Sequence, residues 1–178
     1  MNDVIYMFAM SLDGFIARPN GSFDWLDNYP ADAKFDFPNF EASISGIVMG
    51  RGTYDVLRRN AEWPYARRPV LVATTRAVAN LPANVEIIAD SPQAMLERPR
   101  TMGATGRIWI LGGDDLARQF IDAGLLDTIE IGTIPVILGS GIPAFGGAQP
   151  DRWLQLEFAR GLANGAIHAR YRVRQSAA

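Results

Sequence analysis

The 178-residue sequence contains no cysteine and only one histidine, His168. Without cysteine the chain cannot form disulfides, thiolate metal sites, CxxC redox pairs or a cysteine nucleophile. With a single histidine, neither a histidine-rich metal centre nor a Ser-His-Asp triad is expected. The sequence therefore predicts no metal site, and any chemistry must come from other residue types or from an organic cofactor.

Charge of one sign and long apolar runs are also scarce. The formal net charge is −2, so no basic surface for nucleic acid is predicted. No apolar run approaches the ~18 residues needed to span a bilayer, and the N-terminal residues 1–3 are acidic, unlike a signal peptide. We expect a cytoplasmic protein with one domain over residues 1–178, without a nucleic-acid or membrane partner.

Strand and helix patterns alternate along most of the chain. Short, mainly apolar runs predict strands, and the unbroken run at 4–10 suits a strand buried on both faces; the runs lie at 4–10, 47–49, 70–73, 85–88 and 107–111. Helical patterns lie between them, beginning near Asp36 with Phe37, Phe40, Ala42 and Ile44 on one face, and at 53–60, after Ser91, and over 114–123. This alternation predicts an α/β sheet that is mainly parallel.

The C-terminal third instead predicts consecutive strands. Residues 128–138 suggest a long strand with Pro135 inside it, at an edge or bulge. Apolar alternation over 154–158 and 167–173, around a turn at Asn164-Gly165, predicts an antiparallel hairpin. We interpret the opposite, polar face of its second strand as solvated or as a subunit contact, in preference to an anion site; it carries His168, Arg170, Arg172 and Arg174.

Two strand-to-helix junctions are candidate ligand sites. At Leu111-Gly112-Gly113, missing side chains let a phosphate approach the backbone and the positive end of a helix. The following Asp114-Asp115 pair would repel a phosphate, or would cap the helix.

The second junction, Gly50-Arg51-Gly52-Thr53, offers a guanidinium fork and a hydroxyl. Thr74, Thr75 and Arg76 follow the next strand. These groups together suit an adenosine 2′-phosphate, and the alternative is a set of surface loop residues.

Taken in their order along the chain, these predicted strands, helices and junctions resemble the dihydrofolate reductase fold. More closely, the chain is similar to stand-alone proteins related to the C-terminal reductase domain of riboflavin-pathway deaminase-reductases, the RibD C-terminal domain family. The matching segments are 9–17, 24–25, 48–54, 110–113 and 135–143. The resemblance covers nearly the whole chain and implies a single-domain, three-layer fold with a mainly parallel sheet and an antiparallel C-terminal hairpin.

The resemblance also implies NADPH as the cofactor. Residues implied to line the nicotinamide are Ala9, Ile16 and Ala17, covered by a loop that ends at Trp25. Residues implied on the adenosine side are Gly50, Arg51, Thr53, Thr74, Thr75 and Arg76. Those implied to face the pyrophosphate are Leu111, Gly112 and Gly113.

The family resemblance further implies an acid at the start of the first long helix, which binds the substrate and assists its protonation. Asp36 and Asp32 are the candidates. A helix starting at Asp32 would enclose Pro38, at a cost of about 3 kcal/mol, so we favour Asp36, with a plain N-cap as the alternative. The substrate-binding candidates are Phe40, one turn after Asp36, and Tyr54.

The implied activity is hydride transfer from NADPH to a C=N or C=O group of a small pterin- or pyrimidine-type substrate. The 5-amino-6-(5-phosphoribosylamino)uracil reductase step of riboflavin biosynthesis and a dihydrofolate reductase-like step both stay open. Without cysteine, the chain cannot supply the usual zinc ligands of the fused deaminase. A homodimer is expected. The alternatives are a nucleotide-binding protein without turnover and a dimeric assembly protein with a vestigial cleft.

Overall fold

The computed structural model describes residues 3–27, 29, 37–59, 62–147 and 151–174. The elements of this described part are, in chain order, β1 (Val4–Ser11), β2 (Phe15–Ala17), α1 (Asp24–Asp27), α2 (Phe37–Ser43), β3 (Ile44–Gly50), α3 (Arg51–Leu57), β4 (Val70–Ala73), β5 (Val85–Ile88), α4 (Pro92–Thr101), β6 (Arg107–Leu111), α5 (Asp114–Asp122), β7 (Thr128–Ile134), β8 (Ile142–Pro143), β9 (Leu154–Gly161) and β10 (Ile167–Val173).

The large sheet has the strand order β5-β4-β3-β6-β1-β7-β10-β9, and β2 pairs separately with β8. The strands from β5 to β7 are parallel, whereas β10 runs antiparallel to both β7 and β9. The expected mainly parallel sheet with an antiparallel C-terminal hairpin is therefore confirmed.

Helices cover both faces of the parallel region, which explains why its central strands β1, β3, β4 and β6 are mainly apolar. On one face, Tyr6 of β1 packs in a core that contains Leu116 and Phe120 of α5. On the other face, the neighbouring Ile5 packs in a core that contains Phe40 of α2. Among the described residues, no helix combines the length and apolarity needed to cross a bilayer.

Several element boundaries differ from the sequence prediction. The strand predicted over 128–138 ends at Ile134, so Pro135 follows β7 instead of interrupting it. Proline cannot donate to a strand ladder, and here it ends the ladder. Ile44 begins β3 rather than extending the helix, because the Ser43 hydroxyl donates to the carbonyl of Phe40 at 2.6 Å where α2 stops. Helix α3 begins at Arg51 and not at residue 53.

The predicted hairpin is present, but its alternation breaks at one residue. Leu156 pairs with Tyr171, whereas Phe158 pairs with Arg170, which leaves Glu157 as the extra residue of a β-bulge. Residues paired across antiparallel strands share a face. Phe158 therefore lies with Arg170 and not with Leu156, so the predicted apolar alternation was wrong at this position.

Candidate active-site cleft

A cleft of about 920 Å³ opens at the carboxyl ends of β3 and β6 and extends along β1 and β7. Open α/β sheets bind ligands at this edge. It is lined by most of the predicted cofactor-binding residues, namely Ala9, Ile16, Ala17, Gly50, Arg51, Thr53, Leu111, Gly112 and Gly113.

Glycines form the wall where β3 and β6 end. Met49 pairs with Leu111, so the residues that follow, Gly50 and Gly112, are neighbours. Gly112 has φ +130°, and a Cβ there would collide with Oγ1 of Thr53. A Cβ on Gly50 or Gly113 would instead meet open space. The backbone thus faces the cleft directly, which a phosphate group requires for close approach.

The N-terminus of α5 opens on the same wall. Its N-cap is Gly113, and no side chain caps the helix. Neither Asp114 nor Asp115 is therefore the N-cap that the sequence allowed. The Asp114 carboxylate lies against the backbone of Gly146, and the Asp115 side chain is 86% exposed and lies 3.5 Å from an Nη2 of Arg118. Water and Arg118 screen the Asp115 charge, whereas the Asp114 carboxylate stays at the start of α5 and offsets part of the attraction of the helix N–H groups for an anion.

Arg51 is held at the outer end of the cleft. Its Nε donates to Oδ1 of Asp55 at 2.7 Å, and its Nη1 donates to the carbonyl of Ala77 at 3.3 Å. Of the neighbouring segment, Ala73 lines the cleft, whereas the side chains of Thr74, Thr75 and Arg76 do not. This segment follows β4 beside Gly50, since Gly50 pairs with Ala73. The structure therefore places the three residues near Arg51 but beyond the cleft wall.

The turn between β1 and β2 is fixed by Asp13. Its carboxylate accepts hydrogen bonds from the backbone N–H groups of Leu138, at 3.1 Å, and Gly139, at 2.8 Å. A hydrogen bond from the Ser11 side chain, together with these two, lowers the pKa of Asp13. The turn is thereby tied to the loop after β7, which holds Ile16 and Ala17 in the cleft wall.

Trp25 lies behind the cleft instead of lining it. It is buried against Ile134 and Ala166, and both of these residues line the cleft. Its neighbours Phe23 and Leu26 also line the cleft. Trp25 therefore supports the wall from behind, and its implied contact with the cofactor stays a prediction.

Aromatic side chains form the remaining wall, and the site residues inferred from the sequence did not include them. Phe37, Tyr65 and Trp109 line the cleft. Burial, with the nearby Glu41 carboxylate, raises the pKa of Tyr65 to about 12, so its phenol stays protonated. Of these three, Trp109 lies within a predicted strand, where an aromatic residue reads as core. No spacing rule indicates which loop aromatics face a cavity.

The two predicted substrate-binding residues do not line this cleft. The Phe40 ring packs edge-on against Trp109, at 5.1 Å between centroids and 87° between planes. Tyr54 is only 2% exposed and packs beside Trp63. Both residues support the aromatic wall from behind.

Asp32 and Asp36 lie outside the described residues. Phe37, which directly follows Asp36 in the chain, lines the cleft. Among the described lining residues, the carboxylates are Asp55, Asp114 and Asp115, and all three belong to elements that form the glycine-lined end. The described part of the aromatic end thus has no acid of its own.

Comparisons with known proteins agree with this architecture. The model of the RibD C-terminal domain matches residues 2–166. The uncharacterized protein YwjB of Bacillus subtilis (strain 168) is 33% identical over 143 residues, which cover 80% of this chain and 81% of YwjB. The riboflavin biosynthesis protein RibD of Mycobacterium tuberculosis (strain ATCC 25618 / H37Rv) is 25% identical over 154 residues, which cover 79% of this chain and 44% of that longer protein.

Solved structures of similar proteins share this architecture. A Shewanella sp. PV-4 protein, assigned provisionally to riboflavin biosynthesis, superimposes with a TM-score of 0.85 at 26% identity, covering 97% of this chain and 99% of that one. Acinetobacter baumannii RibD superimposes with a TM-score of 0.75 at 18% identity, covering 98% of this chain and 59% of that one, and shows the shared fold. The family and these neighbours support a reductase-type function. Because the family match spans nearly every residue, the chain belongs to the RibD C-terminal domain family.

Proposed function

We propose that the protein is an NADPH-dependent reductase that transfers hydride to a C=N or C=O group of a small heteroaromatic substrate. The observation that carries the proposal is the division of one cleft into two unlike ends. One end has glycine backbone, the uncapped start of α5 and Arg51. The other has the rings of Phe37, Tyr65 and Trp109.

The glycine-lined end fits a dinucleotide. Gly112 and Gly113 would hold the pyrophosphate, because the backbone is bare there and the helix dipole favours an anion. Arg51 would contact the adenosine 2′-phosphate, since a guanidinium binds phosphate oxygens through two parallel N–H groups. Its Nε donates to Asp55 and one Nη1 hydrogen to the carbonyl of Ala77, which leaves the two Nη2 hydrogens and the second Nη1 hydrogen for the phosphate.

The aromatic end fits a planar heterocycle. Aromatic walls stack flat rings, and such pairs contribute about 0.5–1.5 kcal/mol beyond area burial. A cleft near 920 Å³ lies in the upper part of the range usual for small-molecule sites. A pterin or a pyrimidine has the required shape, and the relatives named for riboflavin biosynthesis favour the pyrimidine.

In the reaction, the bound NADPH supplies the hydride to the carbon of the acceptor bond. Ala9, Ile16 and Ala17 present small or apolar surface, which excludes water beside the reacting carbon. The acceptor nitrogen or oxygen needs a proton. We assign that relay to Asp36, with Asp32 as the alternative, because the described aromatic end lacks an acid and Asp36 adjoins Phe37. A carboxyl beside apolar walls gains the raised pKa that such a role needs.

The first test is a parallel titration with NADPH and NADH. Binding is measured by the quenching of tryptophan fluorescence, to which Trp109 in the cleft wall contributes. We expect NADPH to bind at least about tenfold more tightly, a difference of about 1.4 kcal/mol. Equal affinity would refute the 2′-phosphate site, and binding of neither would refute the reductase proposal.

The second test measures NADPH oxidation with 5-amino-6-(5-phosphoribosylamino)uracil and with dihydrofolate as the hydride acceptors. We expect turnover with one of these acceptors. The Asp36→Asn substitution should slow that turnover and leave NADPH binding unchanged. Tight NADPH binding without oxidation of any such acceptor would favour the nucleotide-binding alternative. A stable dimer without nucleotide affinity would favour the assembly alternative. A homodimer stays a prediction.

A further inference from the structure

We propose a second binding site, separate from the cleft, that accepts a small organic oxyanion: a carboxylate or phosphate attached to an aromatic or other apolar group. The site is a cavity of about 480 Å³ between α2 and the strands β7, β10 and β9. Phe40 and Ser43 of α2 line this cavity, whereas Phe37 of the same helix lines the cleft. The two sites therefore have no lining residue in common, although both border α2.

A buried carboxylate organises the floor of the cavity. Glu130 on β7 is only 4% exposed. Its Oε2 accepts from Nε of Arg170 at 2.8 Å and contacts Nη2 of the same residue at 2.7 Å. This two-point contact fixes the Arg170 guanidinium and neutralises the Glu130 charge. Glu130 thus serves to orient a cation and leaves little negative field in the cavity.

His168 completes the floor in a defined tautomer. Its Nδ1 lies 3.2 Å from Nη2 of Arg160, and a guanidinium can only donate. Nδ1 must therefore accept, so the proton is on Nε2, which donates to Oε1 of Glu130 at 2.7 Å. The neutral imidazole fixes the position of Arg160 without compensating its charge.

Arg160 supplies the positive charge for a ligand. Among the described residues, no carboxylate lies within ion-pair distance of its guanidinium. The β-bulge turns Phe158 to this face, where the Arg160 and Arg170 guanidinium carbons lie 5.7 and 5.9 Å from the ring centroid. An aromatic surface therefore sits between two cations.

The remaining wall adds a third guanidinium and a hydroxyl. Arg107 pairs with Asp3 at 3.0 Å and donates from Nη1 to the Ser43 hydroxyl at 3.2 Å. Of the three arginines in the described lining, Arg107 is paired with Asp3 and Arg170 with Glu130, so Arg160 is the cation left without a carboxylate among the described residues. An excess of cations over anions in a concave, partly apolar site attracts an anion.

The chemistry of the walls selects the class of anion. Phe40 and Phe158 both line the cavity, so a ligand with an apolar body gains more than a bare inorganic ion. The oxyanion would bridge Arg160 and Arg170, because two guanidinium groups match the oxygens of a carboxylate or phosphate. The guanidinium groups of Arg160 and Arg170 would repel a cation, and a neutral sugar would carry no negative charge to pair with them.

Phenyl phosphate is the probe for the test, and isothermal titration calorimetry with the full chain is the measurement. We expect binding in the micromolar to millimolar range that weakens with added salt. Arg160→Gln is expected to lower the affinity about tenfold, the effect of one lost charge-assisted hydrogen bond. The matched control is Arg172→Gln, on the same face of β10 but paired with Glu157 and absent from the cavity lining; it should leave the affinity unchanged.

The single histidine gives an independent readout of location. In protein labelled with ¹⁵N-histidine, only His168 contributes a signal, and its two nitrogens report the Nε2–H tautomer. Phenyl phosphate should shift the Nδ1 resonance as Arg160 turns to the ligand, and Arg160→Gln should abolish that shift. Phenol, which has the aromatic ring without the negative charge, should leave the Nδ1 resonance of His168 unchanged.

Three results would overturn the proposal. One is the absence of heat with phenyl phosphate up to about 10 mM, a concentration that already admits very weak sites. Another is binding that leaves the His168 resonances unchanged, because the ligand would then lie elsewhere. The third is an equal loss of affinity in Arg160→Gln and Arg172→Gln, which would indicate nonspecific charge attraction. None of these results depends on NADPH binding.

Discussion

At the scale of single residues, Gly112 and Gly113 differ although both line the cleft. Gly112 has φ +130° and lies against Thr53, whereas Gly113 has φ −59° and open space in the direction of a Cβ. Gly112→Ala is therefore expected to lower the free energy of unfolding by about 1–3 kcal/mol, through backbone strain and the clash. Urea denaturation measures this change.

Gly113→Ala is the matched control for that substitution. It adds the same methyl group one residue later, at a φ that alanine adopts readily, so only the replacement of glycine at the N-cap of α5 acts on stability, and the free energy of unfolding should fall by less than about 1 kcal/mol. Its methyl group would point into the cleft, so NADPH affinity should fall in both variants. A Gly113→Ala variant as unstable as Gly112→Ala would contradict the geometry described for this wall.

Arg51 gives a prediction about cofactor choice. Arg51→Gln removes the guanidinium proposed to bind the 2′-phosphate, so NADPH affinity should fall about tenfold while NADH affinity stays constant. Fluorescence titration of both nucleotides measures the ratio. Arg58→Gln, at the exposed end of the same helix, is the control and should preserve the ratio. An equal fall for both nucleotides would assign Arg51 a structural role through Asp55.

At the scale of elements, the contact between β7 and β10 predicts how stability depends on pH. Burial lowers the pKa of His168, and the Arg160 and Arg170 charges add to this, against an opposing contribution from Glu130. The unfolded chain, with an ordinary histidine pKa near 6.5, therefore binds the proton more readily than the folded protein. The stability that neutral His168 contributes is complete above pH ~6.5 and is lost as the pH falls towards the lowered pKa.

Urea unfolding at a series of pH values checks this. The free energy of unfolding should fall below pH ~6.5 with a slope of at most about 1.4 kcal/mol per pH unit for one proton. His168→Gln keeps a donor for Glu130 and an acceptor for Arg160 but cannot be protonated in this range. Its stability should lack that slope, and parallel curves for the two proteins would show that His168 is not the responsible group.

Prediction from sequence worked best for elements whose cause is local. The strands β4, β5 and β6 were located to the residue, because each is a short, mainly apolar run of β-branched and aromatic residues. The bulge in β9 was missed, because one extra residue in a strand leaves the sequence alternation unchanged. The burial of His168 was not predicted either. Helix α2, which encloses a cavity with this face of β10, is distant from β10 in the sequence.

At the scale of the whole molecule, the sheet order explains why one part of the cleft was foreseeable and the other was not. The glycine-lined end forms where adjacent parallel strands stop, so each residue is marked by its place after a strand. The aromatic end combines Phe37 from α2, Tyr65 from a loop and Trp109 from within β6. Their meeting depends on how helices and loops pack over the sheet, which no local pattern encodes.

Ligand binding should also appear in the stability of the entire fold. A ligand that binds only the folded state stabilises it by about 2.7 kcal/mol at a concentration 100 times its Kd. For a chain of this length, about 2–4 °C in Tm accompanies each kcal/mol. Saturating NADPH is therefore expected to raise the Tm by about 5–10 °C, measured by differential scanning calorimetry.

Two variants separate the sites in that measurement. Arg51→Gln should reduce the shift caused by NADPH, whereas Arg160→Gln, which is absent from the cleft lining, should keep all of it. Phenyl phosphate should raise the Tm of the wild type and of Arg51→Gln by the same amount, and that of Arg160→Gln by less. Because separate sites with no shared residues contribute additively, both ligands together should give the sum of the two stabilisation energies. A combined effect no larger than the NADPH effect alone would mean that both ligands compete for one site, the cleft.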